Sequence, residues 1–284
     1  MQDRQKQAAA ARAAARRAER RRRLLLAGTS VVAVGAVVGT ILGIQASTST
    51  AKAAGSATDS SVVRSIASVP QSVYDTVGTG SATGPKAVSG APLTMDGKPE
   101  VLYIGGEYCP FCAAERWALA ATLSRFGTLT VSRLIHSTPA DVYPNTPTLS
   151  YANASYTSSS VAFAPVEWFG EASDPSTPFG HVYLQQPTAA EQAVFDQYSG
   201  GAIPFVDIAG KYVVPAAQYL PSDLAGLTWQ QIAADMKDPS SKVAQDIDGA
   251  ANYLTAALIK AGAKAPAGLA SSPGVQAAMA KLGS

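Results

Sequence analysis

The stretch from Val101 to Trp117, VLYIGGEYCPFCAAERW, restricts this chain more than any other. Val101 to Ile104 is an apolar run of the β-branched and aromatic type that forms buried strands. Gly105 and Gly106 interrupt it. Cys109-Pro110-Phe111-Cys112 follows, and then AAERWALAATL, a composition that strongly favours helix. The expectation is a strand, a turn, and a C-x-x-C at the start of a helix. The sequence holds no other cysteine.

That placement matters because a thiolate is the nucleophile of disulfide exchange. The free N–H groups and the positive dipole end of a helix favour its negative charge. A spacing of three puts Cys112 about one turn after Cys109, within reach for a disulfide, and Pro110 suits the first helical turn. Cys109 is thus the expected attacking thiol and Cys112 the resolving one. Three readings of the pair stay open: redox catalysis, a structural disulfide, or half of a metal site. A disulfide across so short a span restrains the unfolded chain little, which weakens the structural reading. A metal site lacks a second C-x-x-C, and His136 and His181 are distant in sequence. Ala113 stands where c-type haem attachment needs His. Neither a metal nor an organic cofactor is expected.

The charges are unevenly spread. Residues 1–23 carry nine Lys/Arg against Asp3 and Glu19, a net of +7, and the remaining chain carries a net of −5. A basic arm can signal nucleic acid, but Leu24 to Ile44 follows it with 21 uncharged residues. As a helix this stretch spans about 31 Å, enough to cross a bilayer. The arrangement predicts a single-pass anchor at 24–44 in the cell membrane, a basic cytoplasmic arm at 1–23, and everything later outside the cytoplasm. The competing reading is a cleaved signal peptide, with Ala51-Lys52-Ala53 as an A-x-A-like site. Both place the cysteines in an oxidising compartment where a disulfide is permitted. No nucleic-acid partner is expected.

Residues 45–60 are small and polar and are expected to form a flexible tether. Across residues 61–90, Val62, Val63, Ile66, Val69, Val73 and Val77 recur at helical intervals, which predicts short helices broken at Pro70, then a Gly/Ser-rich loop. Asp96-Gly97 predicts a turn just before the central strand. After the cysteine helix, Leu129 to Ile135 alternates like a strand, giving a βαβ unit. Residues 137–187 are rich in Pro, Ser, Thr and aromatics, with a short strand expected near Val161–Phe169. Thr188 and Glu191 form a capping-box pattern. Ile203-Pro204 opens a hairpin, and helices are expected over Leu227–Met236 and Val243–Ile259, with a loose tail from 261 to 284.

Strand, Cys109–Cys112, helix and strand, followed later by Ile203-Pro204 and a hairpin, resemble the thioredoxin-like fold over about residues 91–260. The resemblance implies an α/β domain with an insertion between the cysteine helix and a cis-proline hairpin. It also implies that Ile203 and a cis Pro204 lie against the Cys109–Cys112 disulfide. The Pro110-Phe111 dipeptide is similar to that of glutaredoxins. More closely, the arrangement resembles the family called domain of unknown function 929, membrane-anchored bacterial and archaeal proteins of thioredoxin-like character. The activity implied is thiol–disulfide exchange on exported protein thiols or disulfides, or on a partner redox protein. The alternative is an envelope scaffold with an inert disulfide. Tyr108 stands where the resemblance implies an aromatic beside the site, with Glu107 a weaker candidate. Glu115 and Arg116 are expected to be solvated charges on the helix surface, the alternative being that Arg116, one turn beyond Cys112, folds back and lowers the pKa of the thiol.

Overall fold

The computed structural model describes residues 57–282. The basic arm, the expected membrane span at 24–44 and most of the tether lie outside the described residues, and among those described no helix is long and apolar enough to cross a membrane.

The chain opens with α1 (Ala57–Ala67) and α2 (Gln71–Val77). The first helix starts within the stretch expected to be tether. Val62, Val63 and Ile66 give it an apolar face that is buried, and burial of that face favours ordering the turn before it. Pro70, whose missing N–H costs nothing ahead of a helix, serves as the N-cap position of α2. Two short strands follow, β1 (Lys86–Ala87) and β2 (Thr94–Met95), and then the central strand β3 (Lys98–Gly106). Asp96 and Gly97 join β2 to β3 with φ of 52° and 72°, the doubly left-handed turn that suits a tight hairpin.

From β3 the chain enters α3 (Pro110–Ser124). The expected strand at 129–135 does not pair with β3. That segment is split between β4 (Thr128–Thr130) and β5 (Leu134–His136), which form small two-stranded sheets with β7 (Ser155–Thr157) and β6 (Pro147–Leu149) respectively. The parallel partner of β3 is β8 (Ala162–Ser173), so the inserted chain falls inside the βαβ crossover. The strand expected near Val161–Phe169 is longer than predicted and extends antiparallel to β9 (His181–Tyr183). Pro165 is tolerated in β8 because β9 pairs only from Phe169 onward, leaving that side of Pro165 without a ladder to complete.

Helix α4 (Ala189–Tyr198) begins with the reciprocal Thr188–Glu191 capping box. Strands β10 (Phe205–Ile208) and β11 (Tyr212–Val214) then complete the main sheet, in the order β1-β11-β10-β3-β8-β9, with β10 antiparallel to β3. Beyond it come a short 3-10 turn (Pro221–Leu224), α5 (Trp229–Asp235) and α6 (Lys242–Lys260). The expected loose tail instead contains α7 (Pro273–Lys281), whose Val275 and Ala278, with the following Leu282, are buried. It packs on α2 and α6. A spaced apolar face, short as it is, orders a segment once a groove exists to receive it.

The central strand explains the layering. Val101 and Tyr103 face the larger core beneath α3 and α6, while Leu102 and Ile104 face a smaller core shared with Phe195 and Phe205. A strand covered on both faces reads as a continuous apolar run rather than an alternating one.

Candidate functional site

Gly106 ends β3, and the chain turns through Glu107 and Tyr108 into α3. Cys109 occupies the N-cap of that helix with extended φ and ψ, and its sulfur accepts the Cys112 N–H at 3.3 Å. One of the helix's otherwise unpaired N–H donors is therefore aimed at Sγ. Pro110 takes the first helical position. Cys112 is wholly buried and Cys109 is 6 % exposed. The structure holds both as free thiols rather than as the expected disulfide.

The two sulfurs are electrostatically unlike. The side-chain hydrogen bond from Cys112 outweighs burial and holds the Cys109 thiol below its usual range, helped by the Cys112 N–H and by Arg116. Burial, first, and the neighbouring Cys109 push Cys112 well up.

Ile203 and Pro204 come to the site just ahead of β10, the strand beside β3, whose Phe205 pairs with Ile104. Their peptide bond is cis, and the Ile203 carbonyl oxygen lies 4.0 Å from Cys109 Sγ. A side chain added at Gly106 would press on the Tyr108 ring and the tip of Ile203, so Gly106 keeps the three close.

The predicted neighbours are held by the insertion. Tyr108 stacks on His181 with ring centres 3.8 Å apart and planes 7° from parallel, and its carbonyl accepts the Thr138 N–H at 2.8 Å. Burial raises the Tyr108 phenol above its ordinary range. Phe111, between the cysteines, meets the edge of Tyr143 at 5.5 Å. Glu107 is buried, paired with Arg133 at 2.6 Å and accepting from the Ser150 hydroxyl.

Glu115 and Arg116 are not solvated; both are fully buried. Arg116 binds Glu167 through Nε and Nη2 at 2.7 and 2.8 Å and donates from Nη2 to the Gly106 carbonyl at 2.7 Å. Glu115 accepts the Gln218 N–H at 3.1 Å, leaves its other oxygen without a partner, and is pushed by burial up to about 8. The signal for this was in AAERWALAATL itself: a helix with small and apolar residues on every side is one that is buried. His181, Tyr143 and Glu167 carried no comparable signal, because each arrives from an irregular or inserted segment. Among the described residues no cluster of three or more His, Cys, Asp or Glu is arranged to hold a metal ion.

Together these features define a dithiol protein whose more acidic sulfur sits on a helix N-terminus just past the end of the central strand of an α/β sheet. Residues 85–174 match the model of the family described as Domain of unknown function (DUF929). The matched stretch runs from just before β1 to just past β8. It includes both cysteines, Arg116 and Glu167, but ends before His181 and the Ile203-Pro204 loop. No curated protein and no solved structure matches the chain.

Proposed function

We propose that this protein is a thiol–disulfide oxidoreductase of thioredoxin-like fold, tethered by residues 24–44 with its α/β domain outside the cytoplasm. Cys109 is the nucleophile that forms a mixed disulfide with a protein thiol or disulfide, and Cys112 resolves it. The observation that carries this reading is the helix-capping geometry of Cys109, which accepts the Cys112 N–H at 3.3 Å while Cys112 itself is buried. A buried partner beside an activated thiol suits resolution of an intermediate better than first attack. The sheet order, with β8 parallel and β10 antiparallel to β3, and the Ile203 carbonyl facing Sγ, support the fold assignment. The exchange itself calls for no metal or organic cofactor.

The test is trapping. A Cys112→Ser protein expressed in its membrane should accumulate mixed disulfides through Cys109 that a reductant releases, and a Cys109→Ser protein should not. Reduced wild-type protein should lose Cys109 to iodoacetamide faster than a free thiol does near neutral pH. A Cys109 that alkylates at the rate of a free thiol, together with no trapped partner, would point to an inert pair on an envelope scaffold.

A further inference from the structure

We propose that Arg116 is a positioning residue that makes this pair an oxidant, a donor of its disulfide, by favouring the reduced state of Cys109 and Cys112. The inference rests on the thiol–disulfide reading above and adds the direction of exchange.

The geometry begins with one carbonyl. Gly106 O accepts the Cys109 N–H at 3.1 Å and Arg116 Nη2 at 2.7 Å, so the guanidinium and the backbone of the nucleophile share an acceptor. Arg116 lies one turn beyond Cys112 on the same helix. A helical side chain leans toward the N-terminus, which carries this one back under the cysteines. Glu167, reaching across from β8, grips Nε and Nη2, while Nη1 is buried with no partner at all. A buried positive group with an idle donor is thus tied to the carbonyl on which the Cys109 N–H also rests, where charge acts over a low local dielectric. It lowers both thiols, though in Cys112 burial prevails.

Retaining such a pair is not explained by stability. Desolvation of a buried Arg–carboxylate pair roughly cancels its attraction, and well-packed apolar replacements are often neutral or better. What the pair does offer is a guanidinium held in place, by Glu167, against the Gly106 carbonyl at the base of the site.

The consequence for direction follows from the exchange chemistry. A substrate thiolate attacks Cys109 Sγ of the oxidised pair, breaking the Cys109–Cys112 bond and forming a mixed disulfide. A second substrate thiolate attacks the substrate sulfur of that bond and releases Cys109. The substrate dithiol loses two electrons and two protons. The pair gains the two electrons, Cys112 takes one proton, and the other enters solvent while Cys109 leaves as thiolate. Whatever stabilises that thiolate stabilises the reduced protein and makes its disulfide more oxidising.

The experiment equilibrates the full chain with the glutathione couple and, separately, follows Cys109 alkylation by iodoacetamide across pH. The wild-type pair should stay mostly reduced under conditions in which a structural disulfide is fully formed. Replacing the ion pair by volume-matched side chains, Arg116→Met with Glu167→Met, should shift the equilibrium toward disulfide roughly tenfold, about 30 mV for a two-electron couple. It should also raise the midpoint of the alkylation profile by about one pH unit. Glu167→Gln, which keeps the guanidinium and removes its counter-charge, should move both readings the opposite way, which loss of packing alone would not do. If the double variant does not fold, that reversed shift decides alone. No movement, or movement of both variants in the same direction, overturns the proposal while leaving the oxidoreductase reading intact. A wild-type Cys109 with the alkylation profile of a free thiol would overturn both.

Discussion

Glu115 allows a quantitative test of how deeply α3 is buried. Its side chain is fully enclosed, one oxygen accepts the Gln218 N–H and the other meets no donor, so burial pushes the carboxyl up to about 8. An unfolded chain exposes the same group to water with its ordinary value near 4.5. Between those limits the native state holds a proton that the unfolded state has released. Stability therefore falls as pH rises, by about 1.4 kcal/mol per unit for one proton. The contribution is complete below pH 4.5 and is lost as pH climbs through about 8; by pH 7.5 the loss reaches about 4 kcal/mol. Glu115→Gln keeps the shape of the protonated acid and removes its titration. Urea unfolding of wild type and variant at intervals from pH 5 to 8.5 should give curves that nearly coincide at pH 5 and diverge above it, with the variant more stable at pH 8. Parallel curves across the range would mean that the carboxylate is solvated in the native protein and that the packing described around α3 is wrong.

The same experiment on Asp248→Asn should remove a second, independent proton's slope, since Asp248 is buried with both oxygens unpartnered and raised by burial to about 8, with Arg125 opposing. Gly105→Ala should cost about 1–3 kcal/mol in thermal or urea unfolding, because the added methyl collides with the Tyr103 hydroxyl and ring. Tyr143→Ser should free the Phe111 ring, an edge contact of the kind worth about 0.5–1.5 kcal/mol. It should weaken partner turnover while leaving the pH profile of Cys109 alkylation in place, and an altered profile would show that the ring acts on the thiol. Ending the chain after Lys264 should expose the groove filled by Leu269, Val275, Ala278 and Leu282 and lower the melting temperature by several degrees.

How far the sequence could be read depended on whether the relevant contacts were local. The strand, the turn and the cysteine-capped helix are determined within seventeen residues, where glycines, a proline and helix formers agree with one another. The doubly left-handed Asp96-Gly97 turn and the Thr188–Glu191 cap are likewise local chemistry. The partner of β3 was not legible, because more than thirty residues separate α3 from β8 and the nearer apolar segment at 129–135 alternates just as a strand should. Arg116 was misread for a related reason. Its carboxylate lies 51 residues away on β8, a strand whose pairing beside β3 was not legible, so nothing adjacent showed what would neutralise a buried guanidinium. The stacking of His181 on Tyr108 depends on the register of β9 against β8, which includes an irregularity that no periodicity encodes.

The docking of α7 has a consequence for the order in which the molecule is made. Asp75, just inside α2, accepts the Gly274 N–H, and Thr79 accepts from Lys281, partners about two hundred positions apart. Asn252 likewise ties α6 to the Tyr74 and Gly78 carbonyls. A chain synthesised from its N-terminus presents α1 and α2 long before the surfaces that cover them exist. The valines of α2 must wait, uncovered, until α6 and α7 have been added, whereas α1 meets α3, β4 and α5 earlier, and loop closure across most of the chain is slow. The cysteine segment meanwhile becomes available midway through synthesis. Its sulfurs are thus accessible for a period before the finished domain encloses them.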